Sequence, residues 1–218
     1  MSTSTRPVAV LFDWDNTLVD TWGVIHDALN KTFVEFGLEP WTMDQVRGRV
    51  RRSMRESFPP LFGDRWEEAG SYFMDAFAAV HLERIAPING AEDMLRTFQS
   101  LGLFLGVVSN KTGEFLREEA EHLAWDGFFG RIIGATDAPQ DKPARDPVDL
   151  ALTSSGFETG PNVWFVGDTD VDLECAVNAG CTPVLIRETA PRTGEFADYP
   201  PVYHFESCLA LSNFVQNM

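Results

Sequence analysis

With 218 residues, 44% apolar, 12% aromatic and 23% charged, the chain has an ordinary globular composition, which argues against a disordered, fibrous or repeat-only protein. At roughly 150 residues per domain it makes one to two domains, and it is long enough to fold without a disulfide or metal staple. Seventeen Lys and Arg against thirty-three Asp and Glu leave a net charge of −16. That field repels nucleic acid and anionic membranes, so neither is an expected partner, and an anionic substrate binds only where local cations or a metal reverse it.

The first apolar run, residues 8–12, is too short for a signal or an anchor, and no segment approaches 18 apolar residues. It reads as a strand. Residues 22–36 then follow a helical pattern that stops at Gly37, Thr42 and Gln45 stand at capping-box spacing before a second helix, and a third helix follows Asp64 and Glu67 and carries Tyr72, Phe73, Phe77 and Val80. Residues 21–85 contain no convincing strand, so they are expected to form a helical insert with hinges at 19–21 and 86–87. Beyond it, helical patterns at 91–100, 113–123, 147–155 and 170–179 alternate with apolar runs at 103–108, 131–134, 163–166, 182–186 and, more weakly, 202–205. None of these runs alternates cleanly, which predicts strands buried on both faces. The expected fold is α/β, a Rossmann-like doubly wound parallel sheet with an inserted α-helical cap domain. The boundaries are residues 1–20 plus 86–218 for the core and 21–85 for the cap.

Polar residues fall where the runs end. Phe12 leads into Asp13-Trp14-Asp15-Asn16-Thr17, Val108 into Ser109-Asn110-Lys111, and Val166-Gly167 into Asp168-Thr169-Asp170-Val171-Asp172; Asp141-Lys142-Pro143 follows the short run at 131–134. In an open parallel sheet these ends share one crevice. Asp13, Asp15, Asp168 and Asp172 gathered there would raise one another's pKa values or demand a cation, and Lys142 and a hard divalent ion, Mg2+ by ligand type, can answer the repulsion. No His or Cys cluster competes for zinc. Thr17, Ser109 and Lys142 offer the hydroxyls and ammonium that phosphoryl oxygens need, and an ionised Asp beside a phosphoryl centre invites an aspartyl-phosphate intermediate.

These four stretches, in this order across about 190 residues, resemble the four motifs of the haloacid dehalogenase superfamily: Phe12-Asp13-Trp14-Asp15-Asn16-Thr17-Leu18-Val19, Ser109-Asn110, Lys142-Pro143 and Gly167-Asp168-x-x-x-Asp172. The resemblance implies a nucleophilic Asp13 that also binds Mg2+. It implies that Asp15 is the general acid and base and lends its backbone carbonyl to the metal. Thr17 would orient Asp15, Ser109, Asn110 and Lys142 would hold phosphate, Asp168 would complete the metal site, and Asp172, one helical turn further on the same face, would serve the metal directly or behind its ligands. A carboxylate at position 15 implies a phosphate enzyme rather than a dehalogenase. The insert is similar to the helical cap of the phosphoglycolate phosphatase-like branch, so the expected reaction is hydrolysis of a small phosphorylated metabolite. A sugar phosphomutase of the same superfamily is the alternative, and a non-catalytic binding protein a remoter one. Asn16 stands where that family often has Gly, and the loop after Lys142 is a residue longer than its usual form.

Arg47, Arg51 and Arg55 form an i, i+4, i+8 series read as one helix face, either solvated or, at Arg52 or Arg55, meeting a substrate anion. Trp22 either flanks the site or packs in the cap. The four histidines have no metal or triad spacing, and Asp170 and Glu174 read as structural. Cys175, Cys181 and Cys208 read as free thiols of a reducing compartment, so a cytoplasmic location is expected, as a monomer or homodimer.

Overall fold

The computed structural model describes residues 6–218; residues 1–5, the start of the expected core span, lie outside it. Six parallel strands form one sheet: β1 (Ala9–Phe12), β4 (Phe104–Thr112), β5 (Arg131–Ala135), β6 (Val163–Gly167), β7 (Thr182–Ile186) and β8 (Tyr203–Phe205), in the spatial order β5-β4-β1-β6-β7-β8. β1 lies between β4 and β6, with Leu11 opposite both Gly106 and Phe165. The chain runs outward from β1 first on one side and then on the other, so the crevice of a doubly wound sheet opens beyond its carboxyl end.

Both sheet faces are covered, which is why the strands read as continuous apolar runs. On one face Val10 and Phe12 pack with Met94, Leu95 and Phe98 of α6 (Ala91–Ser100), Leu116 and Ala120 of α7 (Gly113–His122), and Leu211 and Val215 of α10 (Cys208–Gln216). On the other, Ala9 and Leu11 meet Val148 and Ala151 of α8 (Asp146–Leu152) and Cys175, Ala176 and Ala179 of α9 (Asp170–Ala179). The three cysteines are free and buried, and no helix among the described residues is long and apolar enough to cross a membrane.

The insert departs from expectation in two ways. Its two hinges pair as a short antiparallel ribbon, β2 (Val19–Asp20) with β3 (Ala86–Pro87). Its helices number five rather than three: α1 (Trp22–Glu35), α2 (Met43–Arg49), α3 (Met54–Phe62), α4 (Trp66–Ala78) and α5 (His81–Arg84). The expected capping box forms at Thr42 and Gln45, but the helix it starts ends at Val50, whose backbone is extended. Arg47, Arg51 and Arg55 therefore fall on α2, on a connection and on α3, and the single arginine-bearing face does not exist. Leu29, Phe33, Val46, Phe58 and Ala69 form the insert's own apolar cluster, separate from those on the sheet.

Candidate active site

The loop after β1 turns sharply because Asn16 adopts φ +63°, a left-handed conformation that Asn tolerates better than most residues. Its side-chain carbonyl accepts the Thr21 N–H at 3.3 Å, tying the turn to the start of the insert. This places Asp13 and Asp15 at the mouth of the crevice. Ser109 and Asn110 reach it on the extended end of β4, whose register with β5 shifts between Val108 and Thr112. Asp168 and Asp172 reach it from the end of β6 and the first turn of α9, where Thr169 and Asp172 form a capping box.

Lys142 is the centre of charge. Its buried Nζ donates to Asp13 Oδ1 and to Asp172 Oδ1, each at 2.7 Å. Burial alone would lower its pKa, but the charges of Asp13 and Asp172 outweigh that and hold it well above the usual range. Asp13 is pushed up to about 7 by burial first, with Lys142 opposing and Asp172 and Asp15 adding to the rise. Asp168 is raised well above the ordinary carboxylate range by burial and by Asp172 and Asp13. One ammonium therefore does not neutralise three carboxylates.

The oxygens of Asp13, Asp168 and Asp172 lie within 4.8 Å of one another. This all-oxygen set, with Asp13 and Asp172 buried and Asp168 half-buried, carries excess negative charge and no soft ligand and fits a hard divalent cation. Asp172 Oδ2 is already engaged, accepting from the Thr169 N–H at 3.0 Å and its hydroxyl at 2.8 Å. Asp15 points elsewhere: its Oδ1 accepts from the Thr21 hydroxyl at 2.7 Å and lies 2.7 Å from Lys111 Nζ.

Asp13, Asp15, Ser109, Asn110, Lys142, Asp168 and Asp172 thus line one cleft, and Arg52 lines its insert side. Two candidates are placed differently from expectation. Thr17 does not reach Asp15; its hydroxyl donates to Asp168 at 3.4 Å, and Thr21 takes the place at Asp15 because the tight turn brings position 21 back over the loop. Arg55 lies outside the cleft, where its Nε donates to buried Asp141, and Arg52, on the connection before α3, pairs with Glu56 of α3 at 2.9 Å. Asn110 donates its amide to the Lys142 carbonyl at 3.1 Å, which ties the second polar cluster to the third.

The sequence reading missed Thr21, Lys111 and Glu119. Lys111 Nζ bridges Asp15 and Glu119 Oε2, the latter at 2.6 Å. Glu119 also accepts from Trp14 Nε1 at 2.7 Å and lies 2.9 Å from His81 Nδ1. A signal existed, since Glu119 falls on the same α7 stripe as buried Leu116 and Ala120.

Gly167 also shapes the site. A Cβ there would overlap the Asp172 side chain, so Gly is what lets α9 start this close to β6. Gly167→Ala is expected to cost about 1–3 kcal/mol in urea melts. By displacing Asp172 and with it Lys142, it should also lower kcat/KM about 10²-fold.

Residues 10–186 match the family model described as haloacid dehalogenase-like hydrolase. The chain belongs to that family. The matched span of this haloacid dehalogenase-like hydrolase takes in all four polar clusters and stops at the end of β7. A phosphoglycolate phosphatase of Aquifex aeolicus is 32% identical over 81% of this chain and 83% of its own. A Clostridium perfringens protein, named provisionally as the pyrophosphatase PpaX, is 25% identical over 96% and 98%. The crystal structure of an Ehrlichia chaffeensis haloacid dehalogenase-superfamily hydrolase superposes with a TM-score of 0.68 at 28% identity, covering 99% of this chain and 98% of that one.

Proposed function

We propose that this chain, a phosphoric monoester hydrolase of the haloacid dehalogenase-like family, is a Mg2+-dependent phosphatase of a small phosphorylated metabolite that works through an aspartyl-phosphate on Asp13. The observation that carries the reading is buried Lys142 held between Asp13 and Asp172, with Asp168 beside them.

A phosphomonoester seated there presents its phosphorus to an Asp13 oxygen. That oxygen forms the new bond to phosphorus while the ester P–O bond breaks, and the departing alcohol oxygen takes its proton from Asp15. Water then attacks phosphorus and gives its proton to Asp15, and the acyl phosphate opens to inorganic phosphate and free Asp13. Thr21 and Lys111 hold Asp15 during both transfers, while Lys142, Ser109 and Asn110 face the phosphoryl oxygens. Asp13, Asp168 and the Asp15 carbonyl, with Asp172 directly or through water, would hold Mg2+, which neutralises phosphoryl charge when bound. Thr17 steadies Asp168.

The same reading divides the chain into a catalytic core, residues 1–20 plus 86–218, and a helical cap, 21–85, that closes over the crevice. The ribbon at the junction supports it, as do the ion pairs of Arg51 with Asp170 and of Arg55 with Asp141. Buried free thiols support a cytoplasmic location.

The test is phosphate release from a panel of phosphomonoesters, with phosphoglycolate and pyrophosphate, the compounds in the relatives' names, included. Chelation by EDTA should lower the rate at least about 100-fold, with recovery on adding Mg2+. Turnover that survives chelation would remove the metal from the reading. Release that depends on an added sugar bisphosphate would favour the phosphomutase.

A further inference from the structure

Behind the polar floor of the cleft the walls change character. Of the fifteen residues that line it from the insert, eleven are apolar, among them Trp22, Ile25, Phe58, Phe73, Met74 and Phe77. The space they share with Asp13 is about 170 Å3. An apolar cavity of about 150 Å3 takes up benzene.

The polar exceptions are largely committed. Arg51 pairs with Asp170, Arg52 with Glu56, and the Ser57 hydroxyl donates to the Ser53 carbonyl. Across the cleft Lys111 is taken by Asp15 and Glu119. Among the described residues, Arg49 is the one cation lining the cleft without a carboxylate partner, and its guanidinium lies 4.8 Å over the Trp41 ring. A substrate carboxylate buried in this space would leave water for a wall with few free donors, whereas a hydrocarbon group would meet matching surface.

We infer that the alcohol part of the substrate is an apolar group about the size of a single ring, seated among the aromatic and aliphatic side chains of the insert, rather than a short carboxylate. The inference rests on the phosphatase reading above, because a phosphoryl group placed at Asp13 sends its ester oxygen toward this wall. Each methylene moved from water onto the wall should then strengthen transition-state binding.

The experiment measures kcat/KM with Mg2+ for n-alkyl phosphates from ethyl to hexyl, for benzyl phosphate and for phosphoglycolate. The alkyl series shares one leaving-group chemistry, so its slope reports the wall. The expected result is a rise of about three- to fourfold per methylene until the cavity fills. Benzyl phosphate should exceed phosphoglycolate by about tenfold or more. Met74→Gln, which keeps length but makes the wall polar, should lower the benzyl-to-glycolate ratio about fivefold while both substrates still turn over. A flat alkyl series with phosphoglycolate preferred would overturn the inference and leave the phosphatase standing, with Arg49 as the group to examine. An unchanged ratio in Met74→Gln would overturn the placement of the alcohol on this wall. Hydrolysis of none of these compounds would overturn the phosphatase reading and the inference with it.

Discussion

Asp13→Asn should lower kcat by about 10⁴-fold or more while leaving the protein folded and, without metal, no less stable than the parent. The amide is a far weaker nucleophile and cannot form the acyl phosphate, so the loss falls on the chemical step and not on substrate binding. The stability half of the prediction follows from crowding. Asp13 titrates near 7 when folded, because burial and the neighbouring carboxylates oppose its charge, against about 3.9 in an unfolded chain. A carboxyl whose folded pKa is raised weakens the fold progressively as pH climbs from the unfolded value through the folded one, and has no such effect below both. Asn removes that cost, while Lys142 keeps Asp172 as a partner. In EDTA the variant's Tm should therefore stand above the parent's at pH 8, by about 2–4 °C for each kcal/mol relieved, and the gap should close toward pH 4. Calorimetry across that range checks it, and a Tm that falls at every pH would show that Asp13 is needed for structure. Such trade-offs are usual where a site concentrates like charge for chemistry.

The sheet was legible because its inner strands β1, β6 and β7 are buried on both faces. A run such as 163–166 or 182–186 then needs no alternation to be recognised, and the polar residues that follow it mark the strand's end, whereas β4 continues past Val108 through its polar residues to Thr112. Cys208–Gln216 was not foreseen, although Ser207, whose hydroxyl accepts the Ala210 N–H, is a cap readable in the sequence and Leu211 and Val215 behind it face the sheet. The insert was legible as helical but not in its breaks. Val50 and Ser53 carry no glycine or proline to announce the end of one helix and the start of another, and the tertiary packing of Val46 and Phe58 decides the matter. In the site, residues that meet through strand ends were readable from order along the chain. Thr17 and Thr21 were not separable, because the choice between them depends on the left-handed turn at Asn16. The network around Glu119 joins the loop after β1, β4, α5 and α7, and nothing local to any one of them shows the others.

That network sets the second large effect. Glu119 is fully buried and is the shared acceptor for Lys111 Nζ, Trp14 Nε1 and His81. Burial would raise its pKa, but the hydrogen bond from His81 and the charge and hydrogen bond of Lys111 outweigh it and hold the carboxyl below its ordinary value. Glu119→Leu leaves a buried ammonium with Asp15 as its remaining carboxylate and leaves the indole N–H without an acceptor. Removing one partner of a buried, hydrogen-bonded charge typically costs about 3–5 kcal/mol, so the Tm of this variant should fall by about 10 °C or more. Glu119→Gln keeps an acceptor and should lose roughly half as much. Adding Lys111→Met to Glu119→Leu should recover part of the loss, since it removes the stranded charge, and a double-mutant cycle measures that coupling. If the two substitutions add without coupling, Lys111 and Glu119 do not act as a pair. The pH dependence has the opposite sign to that of Asp13. A depressed carboxyl contributes stability that is present above its unfolded pKa of about 4.3 and is lost as pH falls through the folded value. The difference between parent and Glu119→Gln should therefore be full at pH 7 and shrink below about pH 4. Kinetics separate this structural role from chemistry. Thr21 still holds Asp15 in Glu119→Gln, so its kcat below the melting range should fall far less than in Asp13→Asn.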